Sequence, residues 1–100
     1  MVFAVELTVD ALNDARQYFQ YLNTRSNFSD IGYQWWQRLY DALQTLRTMP
    51  ERCAPYPPGR GMKTRRRFLM FGSHRIIFVI DVKRATVSVL RILHTARRAQ

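Results

Sequence analysis

The sequence predicts an α+β domain: a helical hairpin packed on one face of a small, mostly antiparallel sheet, in the order β-α-α-β-β-β. Three observations carry that prediction. Residues 9–48 hold apolar side chains at helical spacing in two runs. Residues 65–94 hold three runs rich in β-branched and aromatic residues, separated by turn signals. The chain has 100 residues, of which 47% are hydrophobic, which is enough for one domain (1–100) around one core.

The first element is a short strand over residues 2–7, where Val2, Ala4 and Glu6 alternate with Phe3, Val5 and Leu7. Thr8 is the predicted N-cap of a helix over 9–23, with Asp10 favourable to the dipole of its first turn. Ala11, Leu12, Ala15, Phe19 and Leu22 form its apolar stripe. Residues 23–27 read as a turn. A second helix is predicted over 29–48, capped by Ser29 or Asn27, with Trp35, Leu39, Ala42, Leu46 and Met49 in one stripe. Its aromatics, Tyr33, Trp35, Trp36 and Tyr40, read as core and helix–helix contacts. Pro50 should end it, because proline lacks the amide proton and constrains the residue before it.

Residues 50–62 hold all four prolines and two of the four glycines, so the expectation there is a loop without regular structure. Three strands follow, over 65–71, 74–80 and 86–94, with turns at Gly72–Ser73 and at 81–85. If 81–85 is a five-residue connection, Ile80 faces Thr86, Phe78 faces Ser88 and Arg75 lies across from Arg91.

Charge narrows the function classes. Residues 1–59 carry five basic and six acidic side chains; residues 60–100 carry eleven basic ones and a single acid, Asp81. A half-chain near +10 points to an anionic partner, either nucleic acid or an acidic protein. Arg60, Lys63, Arg65, Arg66 and Arg67 concentrate five cations where the strand over 65–71 begins, and arginine presents a planar fork of donors suited to phosphate. Two arginines facing each other with no carboxylate, as expected for Arg75 and Arg91, would form an anion site. His94, three residues before Arg97, can move a proton near neutral pH. Such a set needs no metal to cleave RNA, whose 2′-hydroxyl is an internal nucleophile.

Other chemistries lack their residues. There is no glycine-rich nucleotide or phosphate loop. Cys53 is the only cysteine, so neither an internal disulfide nor a cysteine-based zinc site is expected, and no cofactor is implied. A reducing cytoplasm fits. Glu6 and Asp10 interrupt any signal-peptide pattern. No apolar run reaches the roughly 18–20 residues that span a bilayer, so no membrane partner is expected.

Phe71-Gly72-Ser73-His74-Arg75-Ile76-Ile77-Phe78 and Val87-Ser88-Val89-Leu90-Arg91-Ile92-Leu93-His94-Thr95-Ala96-Arg97 together resemble the end of a toxin of the RelE/ParE superfamily of type II toxin–antitoxin systems, the plasmid stabilisation type. An aromatic–Arg–Ile/Leu–aromatic strand and a strand ending in His-x-x-Arg carry the resemblance. It implies neutralisation by a cognate acidic antitoxin. The RelE-like branch cleaves messenger RNA on the ribosome without metal; the ParE-like branch poisons DNA gyrase. In the RelE-like reading, favoured here, the enzyme is an endoribonuclease that inhibits translation. Arg75 then matches its phosphate-contacting arginine, and Arg91, His94 and Arg97 match its C-terminal active region. Lys63, Arg65, Arg66 and Arg67 match its basic, nucleic-acid-binding strand. The chain departs from that branch twice. No tyrosine follows Tyr56, and His74 replaces a common aromatic, which leaves His94 as the proton-transfer candidate. The alternative is gyrase inhibition without catalysis.

Overall fold

A computed structural model describes residues 1–25, 30–57 and 65–96. The elements are β1 (Ala4–Leu7), α1 (Val9–Arg25), α2 (Ile31–Gln44), β2 (Ala54–Tyr56), β3 (Arg66–Phe71), β4 (His74–Asp81) and β5 (Thr86–His94). The five strands form one sheet in the order β1-β5-β4-β3-β2. β1 runs parallel to β5, and every other pair is antiparallel. The predicted α+β architecture holds, with one short strand added.

Both helices pack on the same face. Ala11 and Ala15 of α1 and Trp35, Leu39 and Leu43 of α2 join Ile76, Phe78, Val87, Val89 and Ile92 in one buried cluster. Thr8 caps α1 as predicted, its Oγ1 accepting from the Ala11 amide at 3.1 Å. The same hydroxyl donates to the Leu90 carbonyl at 2.9 Å, so the cap also ties α1 to β5. Gly32 lets the two helices approach: a Cβ there would run into the Asn23 side chain and Phe19. Trp35 is buried as expected, but Tyr33 and Tyr40 are exposed. The cap candidates Asn27 and Ser29 lie outside the described residues.

The second helix is shorter than its apolar stripe. α2 stops at Gln44, a tight turn covers Thr45–Arg47, and Pro50 begins a further turn, Pro50–Arg52, rather than ending the helix. The Phe3 amide takes the Arg47 carbonyl at 2.7 Å, and Thr48 bridges to Val2, so the chain before β1 draws this stretch into extended pairing. Proline is well placed at the first position of a helical turn. The preceding Met49 has φ 48° and is exposed, which drops it from the stripe.

The expected loop also contains regular structure. Ala54–Tyr56 forms the edge strand β2, with Pro55 opposite Arg67; a proline without an amide proton is tolerated at a sheet edge. Gly72 turns β3 into β4 with φ 55°, as a two-residue hairpin with glycine first requires.

The largest correction is the β4–β5 register. Asp81 pairs with Thr86, Ile80 with Val87 and Phe78 with Val89. The connection therefore has four residues, closed by the Arg84 amide on Asp81 Oδ1 at 3.1 Å and by Ala85 at φ 49°. A bulge in β5 then lies opposite Ile77 and Phe78, with Leu90 as the extra residue, so that Ile77 pairs with Arg91, Ile76 with Ile92 and Arg75 with Leu93. Strict alternation from Val87 and Val89 would have turned Arg91 toward the helices. The extra residue hands that place to Ile92, which is 3% exposed. Arg75 and Arg91 are not a facing pair.

Candidate functional site

The bulge sorts the basic residues by environment. Arg66, Phe68 and Met70 on β3 and Arg75 on β4 share the face opposite the helices, as the pairing of Phe68 with Ile77 and Met70 with Arg75 requires. Arg75 is exposed, and its guanidinium lies 5.9 Å from the centre of the Phe68 ring. Arg66 lies 5.0 Å from the centre of Tyr56 and donates Nη2 to the Pro57 carbonyl at 3.0 Å, while its Nε is buried without a hydrogen-bond partner. Among the described residues, the ion pair between Arg91 and Asp14 is the only one, so no carboxylate compensates Arg66 or Arg75.

Arg67, one residue away, points to the other face and is structural in its contacts. Its Nη1 donates to the carbonyls of Cys53 at 2.6 Å and Glu51 at 3.1 Å, pinning the turn after α2 against β3. Cys53 is buried there, and burial pushes its thiol pKa up against the lowering pull of Arg52 and Arg67. Arg65 is exposed just before β3. Lys63 and Arg97 lie outside the described residues, as does Arg60.

Arg91 has the carboxylate that the sequence did not offer nearby. Asp14 of α1 accepts from Arg91 Nε at 2.8 Å and Nη2 at 3.0 Å, and also from the Ile92 amide at 2.9 Å. That hydrogen-bonded carboxylate holds the Arg91 guanidinium pKa above its ordinary value. β1 pairs with β5 only as far as Val89, so beyond it Asp14 takes the place of a strand and satisfies the open edge. The signal was present in the sequence: Asp14 interrupts the stripe of Ala11, Ala15 and Tyr18, and a charge on a buried stripe calls for a partner.

His94 joins a different group. It meets His74 edge-on, with ring centres 4.9 Å apart, and Tyr18 at 5.6 Å. Its Nδ1 accepts from the Ala96 amide at 3.0 Å. His74 is 4% exposed, enclosed by Tyr18 at 4.3 Å and Trp35 at 5.5 Å. Burial lowers its pKa to about 4, assisted by His94 and opposed by Asp14. His74 therefore fills an aromatic slot as a neutral ring. The structure thus places Arg75 on the uncovered face, Arg91 against Asp14, and His94 in an aromatic cluster with α1. It does not gather the three. Tyr18, Tyr56 and Phe68 were missed because their roles come from residues distant in sequence.

No group of three or more histidine, cysteine, aspartate or glutamate side chains is arranged to hold a metal ion among the described residues, and none of the helices described is long and apolar enough to cross a membrane.

Residues 5–99 match the sequence profile of the ParE toxin of the type II toxin–antitoxin system parDE. The chain belongs to the ParE toxin family. No curated protein sequence matches it. Among solved structures, it is similar to the chromosomal ParDE system of P. aeruginosa, with TM-score 0.72 and 15% identity over 93% of this chain and 96% of the other. The RelBE2 toxin–antitoxin complex of Mycobacterium tuberculosis gives TM-score 0.64 and 22% identity, over 97% and 95%. The archaeal RelE–RelB complex of Pyrococcus horikoshii OT3 gives 0.65 and 13%, over 97% and 99%. This ParE-family chain is thus a toxin of a type II system, and its fold is shared by both branches of the superfamily.

Proposed function

We propose that this ParE-family toxin acts by binding and inhibiting DNA gyrase, and that a cognate acidic antitoxin neutralises it by covering its basic half. The observation that carries the reading is the separation of the expected catalytic side chains. A phosphoryl-transfer site needs its proton-transfer group and its cations around one reacting atom. Here the Arg91 guanidinium is bound by Asp14, and His94 packs with His74 and Tyr18. Arg75 stands over Phe68 on the opposite face. Membership of the ParE family supports the same choice. The antitoxin assignment draws on the net charge of residues 60–100 and on the solved neighbours, which are toxin–antitoxin systems and complexes.

The test is a supercoiling assay with purified gyrase, beside a cleavage assay on translating ribosomes. Loss of supercoiling with intact messages is the expected result; cut messages with normal supercoiling would overturn the proposal. One observation favours a second reading, the ribosome-dependent ribonuclease: Arg75 has no carboxylate partner among the described residues and is free to hold a phosphate. In that reading Arg75 and Arg97 stabilise the developing charge, His94 moves the proton, and Lys63, Arg65 and Arg66 hold the message.

A further inference from the structure

Four side chains on the uncovered face form one continuous row across three strands. Arg66 sits over Tyr56 at 5.0 Å, Tyr56 meets Phe68 edge-on at 5.9 Å, and Arg75 sits over Phe68 at 5.9 Å. We infer that this row, Arg66–Tyr56–Phe68–Arg75, is a binding site for single-stranded DNA. The inference goes beyond gyrase inhibition and does not depend on it.

Charge is the first support. Two guanidiniums stand at the ends of the row without a carboxylate among the described residues, and among those residues no side-chain hydrogen bond engages Arg75. The acids of the same face lie elsewhere. Asp81 ends β4, six residues beyond Arg75, about 20 Å away at 3.3 Å per residue. Glu6 lies on β1, at the opposite edge of the sheet. The face is therefore polarised, with its positive end at β2, β3 and the start of β4.

The rings are the second support. A patch built only to attract anions needs cations alone, whereas guanidiniums alternating with aromatic rings provide stacking surfaces between phosphate contacts. That combination is how proteins hold single strands, whose unpaired bases offer both faces. A duplex keeps its bases stacked inside and would use only the arginines. A folded acidic peptide would likewise leave the rings idle.

The apolar setting selects DNA over RNA. Met70 and Leu93 flank the row at neighbouring register positions and reach the surface, and neither can hydrogen-bond a ribose 2′-hydroxyl, the group by which proteins tell RNA from DNA. Deoxyribose and the thymine methyl suit such a surface.

The experiment measures fluorescence anisotropy of a short labelled oligothymidylate with the purified toxin between about 50 and about 200 mM salt. Phe68→Leu and Tyr56→Leu should each weaken binding by about 5- to 150-fold, the range of one base–aromatic stack, with the salt slope unchanged. Arg75→Gln should instead flatten the plot of log affinity against log salt by about 0.7, one phosphate contact for a single strand. Phe68→Trp and Tyr56→Phe keep the rings and should bind as tightly as the parent, which decides the matter if a leucine variant loses its fold. Unchanged affinity in the leucine variants, or weaker binding by the ring-preserving ones, would overturn the inference. So would tighter binding of oligouridylate or equal binding of a DNA duplex. Supercoiling is read separately, so a toxin that binds the oligonucleotide yet spares gyrase refutes only the proposed function, and the reverse refutes only this site.

Discussion

On the helix side of the sheet, Ile76, Phe78, Val87, Val89 and Ile92 are shut from water by α1 and α2. On the other side Arg66, Phe68 and Met70 of β3 and Arg75 of β4 are half-buried or exposed, with Ile77 of β4 buried between them. The two faces differ by alternation alone until the bulge, where one extra residue puts Ile92 inside and leaves Arg91 to Asp14. The comparison teaches that the fold is held by one face and that the other is free to carry charge. The largest expected effects on stability therefore fall on the covered face. Phe78→Ala should cost about 3–5 kcal/mol, a large part of a total of about 5–15 kcal/mol for a domain. Phe68→Ala, on a half-buried ring of the uncovered face, should cost only roughly 1 kcal/mol. Urea unfolding of both variants checks this; equal losses would mean that the uncovered face is core as well.

The second effect belongs to His74, which adds a titratable group to the covered face. Its folded pKa is about 4, below the ordinary value near 6.5. In the unfolded chain His74 takes up its proton as pH falls through 6.5; in the folded protein it does so only near 4. The stabilisation is thus complete above pH 6.5 and is lost progressively between 6.5 and 4. The shift corresponds to a difference on the order of 3 kcal/mol. His74→Phe keeps an aromatic ring against Tyr18 and Trp35 and should flatten that acid limb. Unfolding at pH 7 and pH 4.5 measures it, and an unaltered acid limb in the variant would assign the loss to other groups.

Much of the covered face was legible in the sequence because its signals are local. Helical spacing, the Thr8 cap, the Gly72 turn and the three β-rich runs each depend on neighbours within a few residues. What the sequence did not yield depends on distant pairing. Pro55 looked like a breaker until β3 made its segment an edge strand. The stripe through Met49 overstated the second helix because the stretch before β1 captures Arg47 and Thr48. The uncovered face was harder still. Arg75 and Arg91 do lie inside apolar strands, as the sequence predicts, but their partners follow from a register set by a four-residue turn and a bulge, and Asp14 is 77 residues from Arg91.

Asp14 gives a third, smaller effect, at the boundary between the faces. Asp14→Ala removes two charge-assisted bonds from Arg91 and leaves the Ile92 amide without its acceptor. Arg91 is half-exposed, so solvent replaces much of its share and the loss should be about 1–3 kcal/mol. Asp14→Asn retains an acceptor for the amide and should recover part of it. Hydrogen exchange reads the local consequence. The Ile92 amide should exchange faster in the alanine variant, and unchanged protection would show that pairing with β4 alone holds the upper half of β5.

The smallest effect is expected at His94, and it separates the two functional readings. In the gyrase reading His94 is a packing residue whose polar duty is to accept the Ala96 amide through Nδ1. Glutamine can offer its carbonyl oxygen to that amide and fill much of the space beside His74, so His94→Gln should inhibit supercoiling nearly as well as the parent. His94→Ala leaves a gap against His74 and Tyr18 and should be weaker through loss of stability. In the ribonuclease reading the side chain must carry a proton, which glutamine cannot do. Both variants would then lose about 10²- to 10⁴-fold in message cleavage. Stability against pH adds an independent check. His94 helps to lower the His74 pKa, so replacing it with neutral glutamine should bring that pKa closer to 6.5 and shrink the acid loss. A glutamine variant with parental inhibition and a shallower acid limb fits a structural His94. One with a parental acid limb and no toxicity would return His94 to the chemistry.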